Sequence, residues 1–302
     1  MITAHARPAY PSLLRALDDV FCYTCFKMTE ESAQARAQRT YNSAADFFDL
    51  PALGFWNRFG QATLDRLVLG SGASVLDVCC GAGASALPAA RIVGPTGHVL
   101  AVDLADNLLE LGRAKARGEA LGNVEFRHAD MLALGLDPGS FDAVVCVFGI
   151  FFVPDIPVAV RELWRLVRPG GQLAITTWGP RIFEPAVSYF WDAVGEQRPE
   201  LVQSYQPWDR ITDVETLRDV LRSGGVDSAD IQPEDGVHPL SAPEDWWSIV
   251  LGSGYRNTVD KLGPASAEIV RDHCIRRLSI EHVRQIETNV IYAVSQKPAA
   301  PA

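Results

Sequence analysis

The residues best suited to bind a ligand lie in one segment, where an apolar run leads through Asp77 into a glycine turn. Gly81 and Gly83 form a Gly-x-Gly pair, and an alanine-rich stretch follows them. Glycines let the backbone take left-handed geometry and leave room for a ligand to approach. A helix after such a turn presents free N–H groups, which suit a phosphate or a carboxylate. The segment therefore predicts a strand, a turn and a helix that bind a nucleoside.

Two classes of cofactor fit this turn. Residues 81–86 match the Gly-x-Gly-x-x-Ala fingerprint of dinucleotide-binding folds, and Asp103 lies 20 residues after Gly83. Asp77 favours S-adenosylmethionine instead, because a carboxylate at that strand end repels pyrophosphate but accepts hydrogen bonds from an ammonium group. Asp130, which ends the next predicted strand, and the Arg-Pro-Gly-Gly break at residues 168–171 favour the same cofactor.

The order of these motifs resembles the class I S-adenosylmethionine-dependent methyltransferases. The subgroup that the chain most resembles contains the ubiquinone/menaquinone-biosynthesis enzymes and natural-product methyltransferases that act on small molecules. Five segments carry the resemblance, which covers roughly residues 70–180: 75–86, 99–103, 128–131, 141–146 and 168–171. The chain departs from the family pattern at Cys80, which stands before Gly81 where a glycine is common.

Strand and helix signals alternate from residue 73 to residue 178, which predicts right-handed crossovers and a parallel sheet. The predicted strands are 74–79, 98–102, 124–128, 141–147 and 172–178. Helices are expected at 11–28, 31–49, 54–69, 85–93, 105–121 and 156–167, and after the alternation stops at 181–195, 213–223 and within 243–274. Residues 230–240 and 284–295 read as further strands, and the resemblance implies that they form the antiparallel pair that ends the sheet.

The expected fold is therefore α/β, a Rossmann-like, seven-stranded, mostly parallel sheet with helices on both faces, N-terminal helices and a helical lid. Three regions are expected along the chain. Residues 1–69 form an N-terminal helical cap, and residues 70–180 form the S-adenosylmethionine-binding core. Residues 181–302 supply lid insertions and the closing strands. Cap and lid are expected to cover the mouth of the sheet, where substrate pockets of open α/β sheets lie.

The cofactor residues are assigned from strand ends and from the resemblance. Gly81 and Gly83 are expected to pass under the methionine part of the cofactor, and Asp77 to hold its amino group directly or through water. Asp103 is expected to accept both ribose hydroxyls, and Leu104 to pack against the adenine. For these acids, capping a helix or shaping a turn is the structural alternative.

Five more residues complete the predicted cofactor site. Asp130 is expected to accept the adenine amino hydrogens, and the Met131 N–H to serve a ring nitrogen. The resemblance implies that Tyr41 closes over the methionine end. It also places methyl transfer beside Val147 and Phe148, which follow the fourth strand.

Aromatic residues indicate where an apolar acceptor would bind. The candidates are Phe152, Trp178, Trp246, Tyr255 and Arg256. Packing within the core is the alternative for the aromatic ones. No side chain stands out as a catalytic base. His238 is the candidate because it lies on the predicted sixth strand, and a structural histidine is its alternative.

Composition excludes several classes of protein. The net charge of −10 argues against binding to a phosphate backbone, so no nucleic-acid partner is expected. No apolar run reaches the length of a membrane span, and a cytoplasmic location is expected. Cys22 and Cys25 form a Cys-x-x-Cys pair without further zinc ligands at matching spacing, so no metal is expected. The chain is expected to be a monomer or a homodimer.

The sequence thus predicts transfer of a methyl group from S-adenosylmethionine to an O, N or C atom of a small aromatic or apolar acceptor. Because the cofactor carries the reactive group, the protein acts mainly by positioning and desolvation. Two alternatives stay open: an NAD(P)-dependent oxidoreductase, and a catalytically silent S-adenosylmethionine-binding protein.

Overall fold

A seven-stranded sheet organises the protein, whose computed structural model describes residues 31–299. Its strands come from the predicted alternating region and from the C-terminal part of the chain. The described residues form nine strands, of which all but β7 and β8 belong to this sheet: β1 Ser74–Val78, β2 His98–Asp103, β3 Val124–His128, β4 Phe141–Val147, β5 Val167–Trp178, β6 Asp230–Glu234, β7 Val237–Pro239, β8 Gln285–Glu287 and β9 Val290–Gln296. Their order in the sheet is β3-β2-β1-β4-β5-β9-β6, with β1 to β5 parallel and β9 antiparallel to both of its neighbours.

Helices cover both faces of this sheet, as expected for parallel strands that need crossover connections. The helices are α1 Ala33–Phe48, α2 Phe55–Leu64, α3 Ala86–Val93, α4 Asp106–Gly118, α5 Ile156–Leu166, α6 Ala186–Gln197, α7 Val214–Ser223, α8 Glu244–Leu251, α9 Arg256–Leu262 and α10 Pro264–Ile280. The predicted fold class is confirmed. The predicted helix at residues 11–28, with Cys22 and Cys25, lies outside the described residues.

The strand order changes direction at β1: β2 and β3 lie on one side of it, and β4 and the later strands lie on the other. Val75 pairs with Val99 of β2 and with Ala143 of β4. The apolar residues of β1 are completely buried, because α3, α4 and α5 leave no exposed face at the centre of the sheet. Ligands of such sheets bind at the carboxyl ends of the strands next to this reversal. The fold therefore predicts a ligand site at the carboxyl ends of β1, β2 and β4.

The C-terminal strands differ from the predicted ones. The predicted strand 230–240 is two strands, because the chain turns at Gly236, whose N–H donates to Asn289 Oδ1 at 3.0 Å. The predicted strand 284–295 is likewise divided, since Thr288 bonds to Gly236 and ends β8. β7 and β8 form a separate antiparallel ribbon, while β6 and β9 end the main sheet as the predicted antiparallel pair.

Two helices also have boundaries that differ from the predicted ones. The predicted helix 181–195 begins only at Ala186, because Arg181 and Phe183 have positive φ angles of 61° and 63°. The predicted helix 54–69 ends at Leu64. Residues 31–299 contain no helix that is both long and apolar enough to cross a bilayer.

Candidate functional site

A cleft of about 750 Å³ opens at the carboxyl ends of β1 to β4. It lies where the reversal of the sheet predicts a ligand site. α1 and α4 supply its outer walls. Of the residues predicted from the sequence, the cleft is lined by Tyr41, Gly81, Asp103, Leu104, Asp130, Met131, Val147, Phe148 and Phe152.

Asp103 ends β2 and joins two walls of the cleft. Its Oδ2 accepts the N–H of Gly81 at 2.8 Å, and its Oδ1 accepts the N–H of Ala105 at 2.8 Å. Burial raises the pKa of this carboxyl, and both backbone bonds oppose the rise. Each carboxylate oxygen has a second lone pair, so Asp103 can accept two more hydrogen bonds from a ligand. Asp103 thus stabilises the glycine turn and keeps the acceptor capacity that the predicted ribose contact requires.

Asp130 follows β3 and shapes the opposite wall. Its Oδ1 accepts the N–H of Leu132 at 2.9 Å, which forms a turn of the Asx type. Met131 is buried beside it, and Leu104 faces the cleft from the end of β2. This wall therefore offers apolar surface next to a carboxylate, which suits a heterocyclic base with an exocyclic amino group.

Asp77 and Gly83 lie beneath the turn and do not line the cleft. Asp77 Oδ2 accepts the Ser85 hydroxyl at 2.6 Å, whereas Oδ1 is buried without a hydrogen-bond partner. Burial raises the pKa of this carboxyl to about 7. Gly83 has φ +87°, and a Cβ there would lie 3.0 Å from Leu87 and Phe126. Direct contact of either residue with a cofactor stays a prediction.

Cys79, and not Cys80, has left-handed backbone geometry at this turn, with φ 59°, as Gly81 and Gly83 also do. Its side chain lines the cleft and packs against Gly149, which follows β4. A Cβ on Gly149 would lie 2.3 Å from Cys79 Cβ and 2.6 Å from its Sγ. The positive φ depends on how the turn closes on β4, so no sequence pattern distinguishes the two cysteines.

We expect Gly149→Ala to lower the free energy of unfolding by about 1–3 kcal/mol, the usual cost of overpacking. Cys79→Gly removes the clashing side chain and relieves the left-handed strain, so the double variant should regain most of this loss. Chemical denaturation of the parent, both single variants and the double variant measures the coupling. Additive effects of the two substitutions would contradict the predicted contact.

A second cavity of about 990 Å³ adjoins the cleft. Both share the residues Ala37, Tyr41, Phe152 and Val153 in their walls. Tyr41 meets Phe152 edge-on, with ring centroids 5.7 Å apart. The two aromatic rings therefore stand at the junction of the cleft and the cavity.

Most walls of the second cavity were missed by the sequence analysis. Phe151 and Trp208 are buried aromatic walls, and Tyr205 lies exposed at its edge. They come from segments more than 50 residues apart, and Arg210 connects these segments by donating to the carbonyls of Val153 and Pro154. No local sequence pattern predicts a contact between segments this far apart in the chain.

The other predicted acceptor residues line neither cavity. Trp178 is buried behind the cleft and stacks on Phe148, with ring centroids 3.9 Å apart. Trp246 and Tyr255 are buried in the aromatic core around Phe183. Arg256 is paired with Asp260 at 2.7 Å. The structure thus gives these residues packing and ion-pair contacts, and an acceptor role for them stays a prediction.

His238 also lies apart from both cavities. Its Nε2 donates to the carbonyl of Ala52 at 2.9 Å, and its ring packs edge-on against Phe55. Burial lowers the pKa of His238, so it is held neutral with Nε2 protonated. Among residues 31–299, no group of three or more His, Cys, Asp or Glu side chains is placed to hold a metal ion.

Comparison with known proteins agrees with this geometry. Residues 31–194 match the model of the ubiE/COQ5 methyltransferase family. A demethylmenaquinone methyltransferase of Lactococcus lactis is 29% identical over 231 residues, which cover 71% of this chain and 90% of that protein. The ubiquinone/menaquinone biosynthesis C-methyltransferase of Klebsiella pneumoniae is 31% identical over 246 residues, covering 76% and 94%.

A solved structure shows the same fold at lower identity. Phosphoethanolamine N-methyltransferase 2 of Haemonchus contortus, in complex with phosphomonomethylethanolamine and S-adenosylhomocysteine, has a TM-score of 0.56 and 18% identity. The match covers 88% of this chain and 60% of that one.

Proposed function

Because the chain belongs to the ubiE/COQ5 methyltransferase family and is an S-adenosylmethionine-dependent methyltransferase, we propose that its acceptor is a small aromatic molecule bound in the second cavity. The observation that carries this proposal is the junction at Tyr41 and Phe152. There a ring in the second cavity would face a methyl group presented from the cleft. The names of the two relatives favour a carbon atom of a quinone-like ring over an O or N atom.

The cleft fits the cofactor. We assign the ribose to Asp103 and the adenine to the wall of Leu104, Asp130 and Met131. The methionine end would then lie over Gly81, near Tyr41. When bound, the cofactor supplies an electrophilic methyl group, which an acceptor atom displaces in line from sulfur. This assignment uses the free acceptor capacity of Asp103 and the apolar surface beside it.

The protein would contribute by positioning and by excluding water. The described lining of the second cavity contains no carboxylate and no histidine, so we infer that no such base acts on the acceptor there. Burial raises the pKa of Tyr41, so its hydroxyl stays protonated and can donate a hydrogen bond that orients the acceptor. Apolar walls also remove the hydration shells of the reacting groups.

In this proposal, the predicted cap and lid cover the second cavity. α1 supplies Ala37 and Tyr41, and the turn Pro207–Arg210 supplies Trp208. Gly254 and Asn257 come from the start of α9 and the residues before it. We infer that these segments separate the acceptor from solvent during transfer.

The direct test is incubation with S-adenosylmethionine and a panel of quinols, naphthols and catechols, followed by mass spectrometry. A gain of about 14 Da on an aromatic acceptor, at the expense of S-adenosylmethionine, supports the proposal. Methyl transfer confined to aliphatic amines or to proteins would contradict it.

We expect Ala37→Phe to reduce methyl transfer to such an acceptor by roughly tenfold or more, because the added ring fills the junction between the two cavities. A misplaced reacting group commonly costs up to about a hundredfold in rate. Ala35→Phe is the matched control, since residue 35 is exposed on the same helix and lines neither cavity. Equal rates for the two variants would place the acceptor elsewhere.

A further inference from the structure

We propose that Asn257 recognises an oxygen atom on the acceptor ring by donating a hydrogen bond from its Nδ2 group, and that this bond orients the ring in the second cavity. The inference rests on the proposed function, because it assumes that the second cavity holds the acceptor. It goes further by naming the side chain that recognises a substituent of the ring, and by requiring that this substituent accept a hydrogen bond.

Asn257 is a buried polar residue in the wall of the second cavity. It is 8% exposed and lies in the first turn of α9. Asparagine is a weak helix former, and burying its amide is costly unless the oxygen and the nitrogen both have hydrogen-bond partners. An asparagine at this position therefore requires partners at both ends of its amide.

The protein supplies a partner for the oxygen. Arg39 Nη2 donates to Asn257 Oδ1 at 3.3 Å. A guanidinium has donors only, so the amide atom that it contacts must be the oxygen and not the nitrogen. This bond fixes which way the amide is turned, and it leaves Nδ2 as the end that lies away from Arg39.

The nitrogen has no hydrogen-bond partner among residues 31–299. Asn257 Nδ2 is also not one of the completely buried atoms that lack a partner, so it keeps some accessible surface in a residue that lines the cavity. Gln206 offers a contrast, because its Nε2 lacks a partner but is completely buried in the wall. Asn257 therefore supplies an amide donor that a ligand can reach.

Tyr41 brings a second neutral donor to the same part of the wall. A Cβ on Gly254, three residues before Asn257, would lie 3.8 Å from Tyr41 Oη. The Tyr41 hydroxyl thus lies beside the segment that leads into α9, and its raised pKa keeps it in the donor form. A carbonyl or phenolic oxygen has lone pairs for more than one donor, so an oxygen that faces the start of α9 suits both groups.

Such a wall selects against rings that lack the oxygen. An apolar group beside Asn257 would displace solvent from Nδ2 and leave the donor unpaired, whereas an oxygen atom would replace the bond to solvent. Sites built to form a hydrogen bond with a substrate reject analogues that lack the bonding atom more strongly than apolar pockets distinguish sizes. The expected acceptors are therefore rings that carry a keto or hydroxyl oxygen.

The test uses two ligands of equal size, 1-tetralone and 1-methylenetetralin. They differ in one group, which is a carbonyl oxygen in the first and a methylene in the second. Each is titrated by calorimetry into protein saturated with S-adenosylhomocysteine. The measured quantity is the dissociation constant of the methylene compound divided by that of the ketone. Comparing this ratio between parent and variant cancels the difference in hydrophobicity between the two ligands.

Asn257→Asp removes the Nδ2 donor but keeps an oxygen for Arg39, whereas Asn257→Leu removes both contacts. We expect each variant to lower the ratio at least about threefold, because a hydrogen bond of ordinary strength is lost. Asn42→Asp is the matched control. Asn42 Oδ1 accepts the N–H of Asn107 at 2.9 Å, and the residue lines neither cavity. This control should leave the ratio unchanged.

A parent-like ratio in Asn257→Asp would overturn the inference even if Asn257→Leu lowered the ratio, because only the contact with Arg39 would then matter. Binding of neither ligand to the parent, or an equal fall in Asn42→Asp, would overturn it as well. A separate titration with S-adenosylhomocysteine checks that each variant keeps its cofactor cleft, and if one Asn257 variant fails this check the other decides. Failure of the parent to bind S-adenosylhomocysteine, or no methyl transfer to any aromatic acceptor, would instead count against the proposed function.

Discussion

Replacing Asp103 with alanine is expected to weaken binding of S-adenosylhomocysteine by at least about tenfold. The carboxylate is expected to accept both ribose hydroxyls, and a hydrogen bond to a charged group contributes about 1.5–3 kcal/mol. A loss of about 1.4 kcal/mol already corresponds to a factor of ten in the dissociation constant. Calorimetric titration of the parent and the variant measures this difference.

The control for this prediction is Asp106→Ala, which removes a carboxylate at the start of α4. Asp106 bonds to His128 Nδ1 at 2.8 Å and does not line the cleft. Because Asp103 also holds Gly81 and Ala105, the unfolding of each variant is measured beside its affinity. Parent-like affinity in Asp103→Ala, or an equal loss in Asp106→Ala, would show that Asp103 does not bind the ribose.

The sheet and the cleft walls at the ends of β1 to β4 followed from local sequence signals. β1, β2 and β4 are short, mainly apolar runs, and β3 alternates apolar with polar residues. Each of these patterns is local, so the positions of Asp103 and Asp130 depend on their own strands. Parallel strands place their carboxyl ends at one edge, and this brings such residues together without knowledge of distant contacts. The predicted alternation of strands and helices was sufficient for that part of the fold.

The second cavity depends on packing between distant segments, and for that reason it was not predicted. Trp208 reaches Phe151 because Arg210 bonds to carbonyls of the 150–154 segment. Conversely, Trp246 and Tyr255 looked suited to an acceptor by residue type, but the chain buries them against Phe183. Aromatic composition indicates apolar surface, and only the tertiary contacts decide whether that surface faces a cavity or the core.

Asp77 provides the strongest expected link between pH and stability. The residue is 1% exposed, and burial raises the pKa of its carboxyl to about 7, against about 3.9 in an unfolded chain. Between these two values the folded protein keeps a proton that the unfolded chain has lost. The free energy of unfolding therefore falls as the pH rises from about 4 to about 7, and the full penalty is present above that range.

Asp77→Asn should remove this penalty, because the amide stays neutral and its oxygen can still accept the Ser85 hydroxyl. The expected gain over the parent is absent near pH 4 and grows to an upper limit on the order of 4 kcal/mol above pH 7. Chemical denaturation at pH 5 and at pH 8 measures it.

Asp213 gives a control in which the dependence of stability on pH is expected to have the opposite sign. Its bond to the Thr216 N–H lowers its pKa, so its contribution is present at neutral pH and disappears as the pH falls. Asp213→Asn should therefore lose stability relative to the parent at neutral pH and approach it in acid. If the Asp77→Asn and parent curves instead run parallel between pH 5 and pH 8, the carboxylate beneath the glycine turn is ionised throughout. Its unpartnered oxygen would then have to be stabilised by a group other than Ser85.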